Sequence, residues 1–259
     1  MAAIVTDLYF YPIKSFRGFR VKDLSLVSQG AEWDRQWMLV DEKNNMLTMR
    51  QLPQLARIGV NIDDFMELTL EGFGSVDFGM QETEGDELTV KVWDDSVKAF
   101  EVSSEVSEWL SQVLSKSVKL VRFSDSFKRQ SQERPESGLR FHDAQPLLVI
   151  SKASLLDLEK QAGVTLSMSR FRPNIVIDGV PAYAEDTQAS FKLGNVEFVA
   201  VKPCTRCKIT TVHPLTGEVG EEPLKTLNTY RKGPKGPTFG YYFAHKNNGR
   251  IHVGQELTL

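Results

Sequence analysis

Along most of this chain apolar and polar residues alternate at the two-residue period of a half-buried strand. In the first such run Ile4, Thr6, Leu8 and Phe10 alternate with Val5 and Tyr9, and Pro12 ends it. Further strands are predicted over residues 21–27, 65–70, 76–80, 88–93 and 97–102, with Gly and Asp clusters between them, and a hairpin joins 37–41 to 46–49 around Asn44-Asn45. So many short strands at such spacing predict a barrel or sandwich. The period then changes: Val106, Trp109, Leu110, Val113 and Leu114 fall at i, i+3, i+4, i+7 and i+8 behind Ser103 and Ser104, which predicts an amphipathic helix. A strand at 118–123 follows. Residues 128–138 are polar and without period, the candidate linker or mobile loop, and they divide the chain into expected domains of 1–125 and 126–259.

The second half opens on a buried-type strand at 147–150. Ser151 is placed to cap a helix carrying Leu155, Leu158 and Ala162, which Gly163 stops. The apolar run 196–201 reads as a strand ended by Pro203, and the β-branched run 209–212 as the next strand. A turn at 213–217, a short helix through Leu224, Leu227 and Tyr230, a basic loop at 231–235 that reads as a lid or a solvated loop, and strands at 239–243 and 251–259 complete the chain.

Composition narrows the class. With 259 residues, 41% hydrophobic and 25% charged, the chain is of ordinary globular make-up and long enough to bury a sizeable core. A net charge of −3 argues against a nucleic-acid partner. No run approaches the roughly 18 apolar residues of a membrane helix, and the start lacks a signal-peptide pattern, so no membrane partner and a cytoplasmic location are expected. Two cysteines three residues apart make a poor disulfide framework and fit a reducing compartment.

Those two, Cys204 and Cys207, are the first candidate chemistry. Lys202, Arg206 and Lys208 surround Cys204, a setting that favours thiolate. Four readings are open: an inert buried pair, a dithiol redox centre, a zinc site completed by His213, His245 or His252, and a single thiolate on a soft metal whose other ligands come from an organic cofactor. The last requires groups elsewhere to hold the cofactor. Lys14-Ser15 follows Pro12 in a loop that is either a solvated turn or an anion site. Arg35 either pairs with Asp34 on the surface or reaches the same anion. Asp143, at the mouth of a strand, can accept N–H groups from a heterocycle or organise its own turn, whereas His142 reads as packing. Pro173 biases Arg172 to extended backbone, and the period of two puts Arg172 and Asn174 on one side of a strand.

Taken together, Tyr11-Pro12-Ile13-Lys14-Ser15, Asp34-Arg35, Phe171-Arg172-Pro173-Asn174-Ile175-Val176-Ile177 and Cys204-Thr205-Arg206-Cys207 with Thr210-Thr211-Val212 resemble the MOSC-domain molybdenum-cofactor proteins, specifically the amidoxime-reducing components and their bacterial relatives. Tyr183-Ala184-Glu185-Asp186 and Phe239-Gly240 extend the resemblance, which runs from about Tyr9 to the C-terminus. It implies a mainly β, α+β protein: an N-terminal β-barrel-like domain, a C-terminal MOSC β-barrel with a few short helices, and molybdenum-molybdopterin between them. By the same resemblance Cys204 is the metal's thiolate ligand and catalytic residue, and Cys207 the second, non-ligating cysteine. Lys14, Ser15 and Arg35 hold the phosphate end, Asp143, Arg172 and Asn174 the pterin, and Thr205 and Arg206 line the metal loop. Ala144 and Gln145 stand where relatives can carry hydroxyl side chains. The implied activity is reduction of small N-hydroxylated compounds. With no flavin fingerprint and no four-cysteine cluster motif, electrons are expected from a separate ferredoxin-like or flavin reductase. The alternative is a cofactor or sulfur carrier without turnover.

Overall fold

A computed structural model describes residues 2–258. The first third is built from β1 (Ile4–Phe10), β2 (Phe19–Val21), β3 (Asp23–Val27), β4 (Gly30–Ala31), β5 (Trp37–Val40), β6 (Met46–Leu47), β7 (Gly59–Ile62), β8 (Met66–Leu70) and β9 (Gly74–Phe78). Next come β10 (Glu84–Val92), β11 (Asp95–Glu101), α1 (Ser104–Leu114), β12 (Lys119–Phe123), β13 (Arg129–Gln130) and β14 (Gly138–Leu139). The remainder comprises β15 (Leu147–Ser151), α2 (Lys152–Ala162), β16 (Ile175–Asp178), β17 (Ser190–Leu193), β18 (Val196–Thr205), α3 (Leu224–Tyr230), β19 (Lys232–Gly233), β20 (Gly236–His245), β21 (Gly249–His252) and β22 (Leu257–Thr258). Strands predominate and helices are few, as a mainly β, α+β protein requires. The strand expected at 251–259 is two short ones, and its last residue, Leu259, lies outside the described residues.

Local sequence accounts for most of these elements. In β10 and β11 Val90, Val92, Val97 and Ala99 are buried, while Lys91 and Ser96 face out. Helix α1 buries Val106, Leu110 and Leu114 and starts at Ser103, whose side chain accepts from the Val106 N–H at 3.3 Å. Helix α2 starts at Ser151, which accepts from the Ser154 N–H at 3.0 Å, and ends at Gly163 in the left-handed region. That helix is the crossover between β15 and β16, the parallel pair of the largest sheet.

That sheet runs β2-β1-β16-β15-β20-β18-β17-β22, with β19 added to β20. The strands nearest the N-terminus, β1 and β2, are thus built into the sheet of the C-terminal half, and β3 pairs with β21. A second sheet runs β10-β11-β12-β5-β6, and β7-β8-β9 form a third against α1. A barrel-like N-terminal domain and a MOSC β-barrel were expected; the ladder between named strands runs from β2 to β22 without those two pairing. Residues 254–257 return to β1 through an isolated Ile4–Glu256 bridge and three backbone hydrogen bonds, Val5 N–H to the Gln255 carbonyl, Gly254 N–H to the Val5 carbonyl and Leu257 N–H to the Ala3 carbonyl. At the junction of β20 with β15, Gly240 has φ 74°, and a Cβ there would come within 2.6 Å of Ile150 Cγ1. Only glycine fits that crossing.

Four local expectations are corrected. Strand β18 does not stop at Pro203 but runs on to Thr205, because register shifts at Ala200/Lys202 and Pro203/Thr205 take the donorless proline out of the regular ladder. Residues 208–211 form a 3-10 turn, not a strand, so Cys204 rides on a strand end and not on a loop between strands. Arg172 is left-handed, φ 56°, closing the 3-10 turn Met168–Phe171, so it is not extended and precedes the strand it was expected to share with Asn174. Residues 128–138 are no free linker: β13 and β14 pair, and Arg129 is buried with its Nη1 on the Arg140 and His142 carbonyls.

Candidate functional site

Six chain segments end at one cleft of about 970 Å³. The turn after β1 brings Lys14 and Ser15, the approach to β5 brings Arg35, and the β10–β11 turn brings Trp93. Asp143 comes from the entry to β15, Arg172 and Asn174 from the entry to β16, and Cys204 and Thr205 from the end of β18, with Arg206 next in the chain. All nine residues singled out for the site, Cys204 included, line this cleft. Its backbone is unusual as well. Ser15, Arg35, Trp93 and Arg172, four of the eight non-glycine residues with positive φ among those described, all belong to it. Each such residue costs of order 1 kcal/mol or more, and strain of this kind persists where the surroundings over-determine a site.

The two cysteines have different surroundings. Cys204 is buried, and its Sγ accepts from Arg206 Nη1 at 2.7 Å while Arg206 Nη2 is fixed on the Phe171 carbonyl at 2.7 Å. Burial works against the Arg206 charge, but the Cys204 sulfur beside it raises its pKa. Half-buried Cys207 accepts instead from Arg50 Nη2 at 3.1 Å, and that guanidinium lies 4.6 Å over the Trp93 ring. Both thiols are free. Of the expected cations, Arg206 alone touches Cys204: Lys202 pairs with Glu133 and Lys208 is exposed. No group of three or more His, Cys, Asp or Glu side chains among the described residues could hold a metal, which removes the zinc reading.

At the other end, Lys14 and Ser15 are buried, not a solvated turn. Lys14 Nζ donates to the Phe141 carbonyl at 2.7 Å and to Asp143 Oδ1 at 2.6 Å, and Trp93 Nε1 donates to the same oxygen at 3.0 Å. Burial lowers the Lys14 pKa against the pull of Asp143. Burial pushes the Asp143 carboxyl up, yet Lys14, with Arg50 and Trp93, holds it far below the usual carboxylate range.

Asp34 is the hub behind these groups, and its pair with Arg35 is no surface pair. The carboxylate is wholly buried and takes the Tyr11 N–H at 2.9 Å, Asn174 Nδ2 at 3.2 Å, His142 Nε2 at 3.3 Å and Arg35 Nη1. Burial opposes its charge, but Arg35, then His142, bring its pKa down to about 2. Because the Arg140 N–H donates to His142 Nδ1, the imidazole proton sits on Nε2, facing Asp34. Burial lowers the His142 pKa to about 4, so it is neutral at pH 7. The Arg35 and Arg172 guanidiniums lie 4.5 and 4.3 Å from the centre of the Tyr11 ring.

Two features bear on a cofactor. Arg172 Nη2, Arg206 Nε and Gln145 Oε1 are buried polar atoms of cleft residues without a partner, as a site for a polar ligand requires. One thiol stands among cations, so a metal there needs its remaining ligands from a non-protein group, and the residues fit a soft metal carried by an anionic organic cofactor. Sequence reasoning missed Arg50, Trp93, Glu133 and Tyr242. Of these only Trp93, an exposed tryptophan at a hairpin tip, left a signal in the sequence. Tyr242 keeps its proton, since burial and the Cys204 sulfur raise its pKa well above the usual value.

Residues 2–117 match the MOSC N-terminal beta barrel domain family, and residues 136–258 match the MOSC domain family. The chain is 34% identical to mouse mitochondrial amidoxime-reducing component 1 over 98% of its own length and 82% of the relative's. It is 32% identical to the human protein of that name over the same shares. The chain belongs to the amidoxime-reducing component family of MOSC-domain proteins.

Proposed function

We propose that this chain binds molybdenum-molybdopterin in the cleft and reduces N-hydroxylated compounds, hydroxylamines to the amine and amidoximes to the amidine, with release of water. The observation that carries the reading is the arrival of Lys14, Arg35, Asp143, Arg172 and Cys204 in one cleft from five places in the chain. The names of the mouse and human relatives support the reaction class.

Cys204 is the metal's thiolate ligand, and Arg206 keeps a positive charge on that sulfur while tied to the Phe171 carbonyl. Lys14, Ser15 and Arg35 receive the cofactor's phosphate, for which Lys14 exchanges Asp143 for a second anion. Asp143 is then free to accept N–H groups of the pterin, with Arg172 alongside. Asn174 acts chiefly through Asp34, holding the carboxylate that aims Arg35. Thr205 shapes the wall beside Cys204. Bound there, the cofactor supplies two-electron removal of oxygen from an N–O bond, with electrons from a separate ferredoxin-like or flavin-dependent donor. The protonated Tyr242 hydroxyl offers a donor to the departing oxygen.

The test is turnover of molybdenum-loaded protein. Made in a host able to synthesise the cofactor, it is expected to hold about one molybdenum per chain, to be silent with NADH alone, and to reduce benzamidoxime or hydroxylamine with reduced viologen as donor. Fully loaded protein that reduces neither would replace the enzyme reading with the carrier reading.

A further inference from the structure

Behind Arg172 lies a second cavity, of about 490 Å³, separate from the cleft and sharing only Arg172 and Ile209 with it. Four arginines line it, Arg17, Arg20, Arg170 and Arg172, and among the described residues no carboxylate does. Arg170 Nη1 donates only to the Thr210 and Val212 carbonyls, at 3.4 and 3.1 Å, and burial lowers its pKa. Arg172 Nη1 donates to the Phe16 carbonyl at 2.5 Å, its Nη2 has no partner, and burial lowers its pKa to about 10. Arg17 has no ion-pair partner among the described residues, while Arg20 reaches Asp7 at 3.2 Å at the rim. Arg17 and Arg20 thus stand exposed at the mouth, whereas Arg170 and Arg172 hold charge partly out of water with only backbone carbonyls as hydrogen-bond partners, which a site for an anion explains.

A second observation comes from the floor. The Tyr11 hydroxyl is buried and unpartnered, and the residue lines this cavity, not the cleft. Gly18 leaves room for its ring: a Cβ there would fall 2.1 Å from Tyr11 Cδ1. Phe16, Met49, Val60, Ile209 and Leu215 supply apolar surface. We infer that this cavity binds a small organic anion with a flat apolar body, an aromatic carboxylate or sulfonate, its acid group on the arginines and its body on the apolar wall. The volume suits a ligand of that size, and few convergent polar groups on an apolar lining is the usual make-up of a small-molecule site. Arg17, Arg20 and Arg170 line this cavity and not the cleft, so of its cations only Arg172 is shared with whatever the cleft binds.

The probe is 2-naphthoate, titrated calorimetrically into the purified full-length chain, with neutral 2-naphthamide as its isostere. One naphthoate per chain is expected, with the amide bound roughly tenfold or more weakly, the loss of one good charged contact. The exposed pair change Arg17→Gln/Arg20→Gln is expected to weaken naphthoate by about the same factor and to leave the amide unaffected. Leu215→Trp, at an exposed position, fills the cavity and weakens both probes. The charge-matched control Lys43→Gln/Lys116→Gln changes neither. Absence of saturable naphthoate binding overturns the inference. So do equal affinity for acid and amide, loss from the control equal to that from the arginine pair, or binding indifferent to both cavity variants, which would place the probe in the cleft instead.

Discussion

The two cavities that meet at Arg172 hold positive charge out of water in opposite ways. In the cleft three cations have a carboxylate within reach, Lys14 with Asp143, Arg35 with Asp34 and Lys202 with Glu133, while Arg206 is held by the Cys204 sulfur and the Phe171 carbonyl. In the second cavity Arg170 and Arg172 have only backbone carbonyls and open space. A cation already paired can take an anionic ligand by exchanging partners, so the cleft is stable empty or full, and its selectivity lies in the one feature without a substitute, the Cys204 sulfur. Unpaired cations gain from any well-placed anion. The cleft is therefore expected to be chemically specific and the second cavity permissive.

The largest effect should come from the sulfur. Removing an outer partner of a metal ligand costs about 10–100-fold, so removing the ligand costs more. Cys204→Ser is expected to abolish bound molybdenum and turnover, read by elemental analysis and the viologen assay, while naphthoate binding is untouched. Cys207→Ser, which disturbs only Arg50, should leave the metal in place. Equal loss from both changes would return the pair to a dithiol reading. Arg35→Ala comes next: cofactor affinity falls about 10–100-fold, as for a supporting contact, yet activity per bound molybdenum stays near the unmodified value. A proportionate fall in activity per molybdenum would mean that Arg35 touches the reacting atoms.

Protons distinguish the two regions through stability. His142 is neutral in the fold, with a pKa lowered to about 4 from 6.5. The unfolded chain therefore takes up the proton first as pH falls, and the stabilisation present above pH 6.5 is lost between 6.5 and about 4. At about 1.36 kcal/mol per pH unit this is about 3 kcal/mol. Asp34, lowered from 3.8 to about 2, contributes above pH 3.8 and loses that contribution as pH falls through about 2. Urea midpoints across pH 7 to 4 test this: His142→Gln should flatten the first limb, and an unaltered slope would show that the hub does not carry it. The second cavity has no carboxylate or histidine in its lining and adds nothing to this window.

Much of this contrast was legible in sequence where it rests on local chemistry. Ser103, Ser151 and Gly163 cap helices as their types dictate, and the cleft's cations and thiol stand in motifs that carry the family resemblance. What escaped depends on contacts distant along the chain. Strand β1 pairs with β16 some 170 residues on, so no local pattern tells that the first strand belongs to the last sheet. Bulges carried β18 past a proline that should have stopped it. Arg172 went left-handed because it closes a turn and spans between Tyr11 and the Phe16 carbonyl, a tertiary demand that overrides the preference of a residue before proline. The second cavity was invisible for a like reason: Arg17, Arg20, Arg170 and Arg172 lie in two unrelated polar stretches and meet only in the fold.

The smallest expected effect belongs to Tyr11, which stands between the regions. Its ring faces the guanidiniums of Arg35 and Arg172, so its aromatic face serves the cleft side, whereas its hydroxyl is buried without a partner. An unsatisfied buried hydroxyl costs roughly 1–3 kcal/mol, and one bordering a cavity falls at the low end. Tyr11→Phe keeps the ring and removes the cost, so the free protein should gain about 1 kcal/mol, read as a raised urea midpoint. If the hydroxyl is held in reserve for an anion, the same change should weaken naphthoate while cofactor content and turnover per molybdenum stay unchanged. A lower urea midpoint would mean that the hydroxyl is already satisfied in solution, and the contrast between a self-paired cleft and an unpaired cavity would then rest on the arginines alone.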